Sequence, residues 1–193
     1  MDTHSAVGIL AALIVFAAYP IYILSVFRGT TKPDRVTWWI LAVDNVLIAS
    51  SSYAAGAHTT VWIPALYTLE FLFVAIISVR YGAGTYRLTW VQTICVLGAF
   101  IAMVLWYVFN QTELTLYISI AIDLLGIIPT IHKLYLQPAS EDALAWGTAT
   151  AGSLLNIFAI ASWNVVDAIY PVYLLLTNGI IFSLILRAFH KKT

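Results

Sequence analysis

Residues 114–136 read LTLYISIAIDLLGIIPTIHKLYL, a run long enough to cross a bilayer that nonetheless holds a carboxylate and a proline. Ser119, Asp123, Gly126, Thr130 and Lys133 recur at steps of three and four, which places them on one face of a 3.6-residue helix. The other faces are Leu, Ile and Ala. A carboxylate in hydrocarbon costs on the order of 3 kcal/mol, so Asp123 is expected to face a protein interior or a wet cavity and is the first candidate site residue. Pro129 has no N–H to give the carbonyl of Leu125, so this helix is expected to bend or break about one turn from Asp123.

The rest of the chain is of the same kind. Of 193 residues, 62% are hydrophobic and 9% charged, and the mean hydropathy is +0.92, a composition that points to an integral membrane protein and leaves no room for a soluble catalytic domain. A span needs about 20 apolar residues, and seven such runs fit, at about 5–27, 37–56, 61–80, 86–109, 114–136, 142–163 and 167–189. The first is read as a retained span, since no basic residue precedes it. The fourth, apolar from Val96 to Trp106, reads as a lipid-facing linker. With the amino terminus outside and seven spans, all nine Lys and Arg fall on the cytoplasmic side as membrane-edge anchors. Trp38, Trp39, Trp62, Trp106, Trp146 and Trp163 lie near helix ends and read mainly as an interfacial belt. A net charge of zero gives no reason to expect a nucleic-acid partner, and the single Cys95 excludes an internal disulfide.

Landmarks repeat between the first three helices and the last three. Pro20 and Pro129 sit late in the first and fifth helices, and the loops that follow contain Pro33 and Pro138. Tryptophans open the second helix and lie early in the sixth, and Asn45 answers to Asn156. Pro64 precedes Arg80 by the same interval as Pro171 precedes Arg187. The division expected is therefore a first triple-helix bundle at 1–81, a linker helix at 82–110 and a second bundle at 111–193, as a parallel 3+1+3 repeat with the carboxyl terminus cytoplasmic.

That plan, with a proline late in the first and fifth helices, resembles the SWEET and PQ-loop superfamily of seven-helix transporters, as a divergent member whose prolines lead Pro20-Ile21 and Pro129-Thr130 in place of Pro-Gln. The resemblance implies alternating access between two bundles and hinge roles for Pro20 and Pro129. It also implies a pocket role for Asn178, which matches a pocket asparagine in the seventh helix of SWEET carriers.

Counting along the helices puts Glu70, Asp123 and Asn178 near mid-depth, with Asp44 on the cytoplasmic side of them. Asn45, Tyr67, Asn156 and Thr177 join them as candidates for substrate binding or proton coupling. No Lys or Arg lies at comparable depth, so a phosphate or carboxylic acid would meet a field of the wrong sign. The expected function is transport of a small polar solute, neutral or cationic, sugar-like or amine-like, with protons as the candidate coupling ion through Asp123 and Glu70. The expected partners are that solute and the bilayer of a cell membrane, with self-association left open; no cofactor is expected. Three alternatives stand beside it. A receptor on the same scaffold for acidic tails would need basic groups in its cavity. An opsin-like pigment would need a lysine in the seventh helix, where residues 170–189 have none. An embedded isomerase or cyclase acting on a lipid or isoprenoid needs only acids and amides, whereas His4, His58, His132 and His190 are too scattered to form a metal site.

Overall fold

The computed structural model describes residues 3–54, 62–83, 87–109 and 112–190. They form seven α-helices: α1 Thr3–Phe27, α2 Arg35–Ala54, α3 Trp62–Tyr81, α4 Trp90–Phe109, α5 Thr112–Leu136, α6 Ala143–Ile157 and α7 Val165–His190, with one 3₁₀ turn at Pro138–Ser140. No strand occurs among the described residues. Also among them, α1, α4, α5 and α7 are long and apolar enough to cross a membrane. Their outward faces are dominated by large apolar side chains such as Leu97, Phe100, Ile101 and Val108 on α4, which marks lipid as the solvent that fits them.

Local chemistry sets the helix ends. α1 closes in a Schellman turn: Gly29, at φ +74°, donates to Val26 O at 3.0 Å and Thr30 donates to Ser25 O at 3.1 Å. Asp34 caps α2, its Oδ1 accepting from Thr37 N at 3.1 Å, and its Oδ2 accepts from Gln92 Nε2 at 2.9 Å. Thr89 and Gln92 form a reciprocal capping box that starts α4. Asp142 caps α6 through Ala145 N at 2.8 Å, and Asn164 caps α7 through Asp167 N at 2.9 Å. At the end of α3 the cap comes from another helix. The Arg35 guanidinium donates to the carbonyls of Ser78, Val79, Gly82 and Ala83, supplying donors and positive charge where a helix end lacks them. A side chain at Gly82 would strike Ser78 O at 2.2 Å.

The chain divides into two compact units. One comprises residues 1–31 with 133–193, the other residues 32–132. In the first unit the amino-terminal helix finds its partner far along the chain, whereas in the second α2 packs on the helix that follows it. In the first unit α1 packs on α6, and α6 on α7. Gly152 lets the α1 and α6 backbones approach so closely that an added Cβ would lie 2.6 Å from Val15 Cγ2 and 3.1 Å from Ala11 O. In the second unit α2 is the central rod. Val36 and Ile40 of α2, Val91, Cys95 and Ala99 of α4 and Ile122 of α5 form one buried cluster, so α4 is not only a lipid-facing linker. Gly126 of α5 sits against Ile40 and Leu41, and Thr130 Oγ1 donates to Thr37 Oγ1 at 2.9 Å.

Two further expectations are corrected. α6 ends at Ile157 rather than near Trp163, because Phe158, Ala159 and Ile160 donate to the carbonyls three residues back and tighten the chain out of the α-helix. At 15 residues it is about 22 Å long. α1 and α5 each form one continuous helix that contains its proline, Pro20 and Pro129. Trp38 and Trp146 are buried, not interfacial: Trp38 packs on Phe71 with ring centroids 5.7 Å apart, and Trp146 Nε1 donates to Glu141 Oε2 at 3.0 Å. Asn110, Gln111, Lys191 and Lys192 lie outside the described residues.

Candidate functional site

Within the unit of residues 32–132, the polar stripe of α5 faces α2. The two helices run antiparallel, and their contacts advance together: Thr130 meets Thr37, and Gly126 one turn earlier meets Leu41 one turn later. The next step of that register brings Asp123 to Asp44, and the two carboxyl groups lie within electrostatic reach of each other. Asp44 is 2% exposed, and its Oδ1 accepts no hydrogen bond. One turn beyond Asp123, Ser119 is also buried, and its Oγ has no partner. Gly126 makes this arrangement possible, since a Cβ there would sit 2.9 Å from Leu41 Cδ2 and 3.0 Å from Ile40 Cγ2.

The other candidates are distributed differently. Glu70 is half-buried on α3, on the stripe continued by the buried Val74 and Ser78, and its Oε2 has no hydrogen-bond partner. It shares electrostatic reach with Tyr67, one turn earlier. Asn45 spends its amide on its own helix, donating to Leu41 O at 2.9 Å. Its side chain is therefore a local bond rather than one aimed at the acids.

Asn156, Thr177 and Asn178 belong to the other unit. Asn178 Nδ2 donates to Ser153 Oγ at 2.9 Å, tying α7 to α6, and Thr177 Oγ1 donates to Tyr173 O at 3.0 Å. Asn156 lies in the last turn of α6, its carbonyl accepting from Ala159 N. Asn178 thus ties two helices together, and the Thr177 hydroxyl bonds within its own helix. Pro129 is buried on α5, whereas Pro20 is exposed on α1.

Lys133 and Glu141 were not among the sequence candidates. Lys133, expected as a membrane-edge anchor, is buried and pairs with Glu141. The signal in the sequence is Glu141 and Trp146, which lie five residues apart across a helix start. A separate groove of about 430 Å³ runs along α2 and α4, lined by Ile40, Val43, Ala99, Phe100 and Met103 among others. It is apolar apart from Arg35, whose guanidinium is turned onto the carbonyls of the α3 end. None of the candidate acids lines it. Among the described residues no three His, Cys, Asp or Glu side chains come together as a metal ligand set. No protein-family model, curated protein or solved structure matches the chain.

Two acids within electrostatic reach of each other, one of them buried in an apolar helix bundle, can do a restricted set of things. A buried carboxylate whose oxygen receives no donor is stable when a proton or a cation accompanies it. Two together repel an anion and favour uptake of one positive charge.

Proposed function

We propose that the chain is a seven-span transporter of a cell membrane, amino terminus outside, that moves a small polar neutral or cationic solute by alternating access, with Asp44 and Asp123 as the group that takes up a proton or a solute's positive charge. The observation that carries this reading is the Asp44 carboxylate: buried, one oxygen without a donor, and within electrostatic reach of the Asp123 carboxylate. A merely structural acid would be expected to engage both oxygens with donors.

A duplicated plan of the SWEET and PQ-loop kind is supported by parallel local detail. Asp34 and Asp142 each cap a helix, and each stands four residues before a buried tryptophan, Trp38 and Trp146. α1 meets α6 antiparallel, through Gly8 with Ala159, Val15 with Gly152 and Tyr22 with Trp146. α5 meets α2 in the same sense, and the contact registers of the two pairings correspond when Pro20 is matched to Pro129 and Asp34 to Asp142. In that matching Asp44 corresponds to Gly152, so the acid pair of one copy stands where the other has its closest helix crossing. The chemistry is one-sided although the plan is duplicated.

The test uses the protein in proteoliposomes holding a pH-sensitive dye, challenged with gradients of sugars, amines and amino acids. The wild type is expected to couple at least one solute gradient to proton movement. Asp44→Asn and Asp123→Asn are each expected to abolish that coupling, and Glu70→Gln to leave a part of it. Unchanged coupling and pH dependence in both aspartate variants would remove the assignment.

A further inference from the structure

The groove between α2 and α4 lies within one compact unit, residues 32–132, and takes no part in the contact between α2 and α5 that carries the acids. Residues from Arg35 to Val43 line it along about 12 Å of the α2 axis. Val96, Ala99, Phe100 and Met103 line it from α4, and Ala99, the smallest side chain in the lining, gives it depth. Its volume of about 430 Å³ is that of a small-molecule site, for which roughly 300–1,000 Å³ is usual. Trp39, Val43, Leu88 and Phe100 are exposed along it. Water gains nothing in such a space, since the walls offer it too few polar partners, whereas a hydrocarbon chain fits.

One end of the groove is charged. Arg35 is part of the lining there, Arg80 follows the lining residue Val79, and Arg87 precedes the lining residue Leu88. Arg80, Arg87 and Lys32 are exposed. Asp34 is the sole acid in the sequence of residues 32–37 and 78–93, and both its oxygens are engaged, Oδ1 by Thr37 N and Oδ2 by Gln92 Nε2. Four bases therefore stand against one acid that is already occupied. The Arg35 guanidinium is fixed on the carbonyls at the end of α3, so its charge stays at the mouth. Trp39 and Trp90, 41% and 73% exposed, bring indoles to the same end, and indoles settle at headgroup depth.

We propose that this groove holds an acyl chain of one anionic phospholipid, its phosphate received at the mouth by Arg80 and Arg87 beside the fixed charge of Arg35, whatever solute Asp44 and Asp123 serve. The bilayer itself supplies the ligand. An apolar slot that ends in a basic mouth sets this position apart from the rest of the lipid-facing surface. A zwitterionic phospholipid offers the same chain but brings a cation to the bases.

Native mass spectrometry of the full-length protein, released from nanodiscs of equal parts phosphatidylglycerol and phosphatidylcholine with identical acyl chains, tests this. The wild type is expected to retain one phosphatidylglycerol, favoured over phosphatidylcholine by about tenfold or more. Arg80→Gln combined with Arg87→Gln is expected to bring the two lipids to within about twofold, whereas the corresponding pair of lysine variants keeps the preference. Val43→Trp and Met103→Trp fill the groove from its two walls, and each is expected to remove most of the retained lipid of either kind. Glycerol phosphate, the headgroup without chains, is expected not to displace the lipid. Equal retention of the two lipids by the wild type, or a preference that survives the double glutamine variant, would overturn the basic mouth. Retention unchanged in both tryptophan variants, or displacement by glycerol phosphate, would overturn the chain site. Dimers that carry no lipid would overturn it too, as the mark of a second copy of the chain seated in the groove.

Discussion

The closest backbone approach in the first unit sets up a prediction whose size follows from distances. In Gly152→Ala the new methyl would lie 2.6 Å from Val15 Cγ2, 3.0 Å from Val15 N and 3.1 Å from Ala11 O. The valine methyl can rotate only at a rotamer cost, and the backbone atoms cannot retreat unless α1 itself moves. Reaching ordinary contact near 3.5 Å requires the helices to part by roughly 0.5–1 Å along a crossing that also includes Gly8 against Ala159. Overpacking of that kind costs about 1–3 kcal/mol, partly offset by about 1 kcal/mol of helix propensity. The net loss of up to about 2 kcal/mol lowers the melting temperature by up to about 8 °C for a chain of this size.

The control is Gly179→Ala on α7, where nothing lies within 4 Å of the new methyl; it is expected to be neutral or to gain up to about 1 kcal/mol. Thermal unfolding in one detergent, followed by tryptophan fluorescence, measures both. Equal stability of the two variants, or a loss confined to Gly179→Ala, would refute the packing of α1 against α6.

Other outcomes follow from single contacts. Arg35→Ala strips donors from four carbonyls at the end of α3 and is expected to lower stability by about 1.5–3 kcal/mol, with Arg35→Lys recovering only a part, because an ammonium cannot reproduce the planar fork; thermal melts report both. Gly82→Ala meets Ser78 O at 2.2 Å and is expected to reduce the yield of monodisperse protein on size exclusion, where an unchanged yield would contradict the tight turn. Asn178→Ala and Ser153→Ala are each expected to cost about 0.5–1 kcal/mol and the double variant little more, since they delete one shared bond; strict additivity would show that Asn178 has another partner in solution.

Much of the second unit was legible from spacing alone. The stripe Ser119, Asp123, Gly126, Thr130 is the face that α5 turns toward α2, because helical periodicity is a property of the segment itself. Pairing Asp123 with Asp44, rather than with Glu70 or Asn178, was not legible. Partners across helices depend on which rods touch, and α1 with α6 is a contact that no local pattern encodes. Polar residues with a local option misled in the same way: Asn45 and Thr177 satisfy themselves on the carbonyl four residues back. Tryptophans near helix ends were read as belt residues because sequence carries no information about what meets an indole N–H. Trp146 met Glu141, and that one bond drew Lys133 inward as well. The end of α6 was misplaced because Phe158–Trp163 is as apolar as the helix before it, and only Asn164, capping the next helix, marked the break.

The pairing of α1 with α6 also bears on how the protein is made. The face of α1 bearing Gly8, Ala11 and Val15 must await a partner that leaves the ribosome about 140 residues later. Until then its close-packing surface can only be shielded by lipid or by an insertion chaperone. Nascent chains arrested before residue 143 should therefore be protease-sensitive in the unit that closes last, and quality control in the cell has its longest opportunity there.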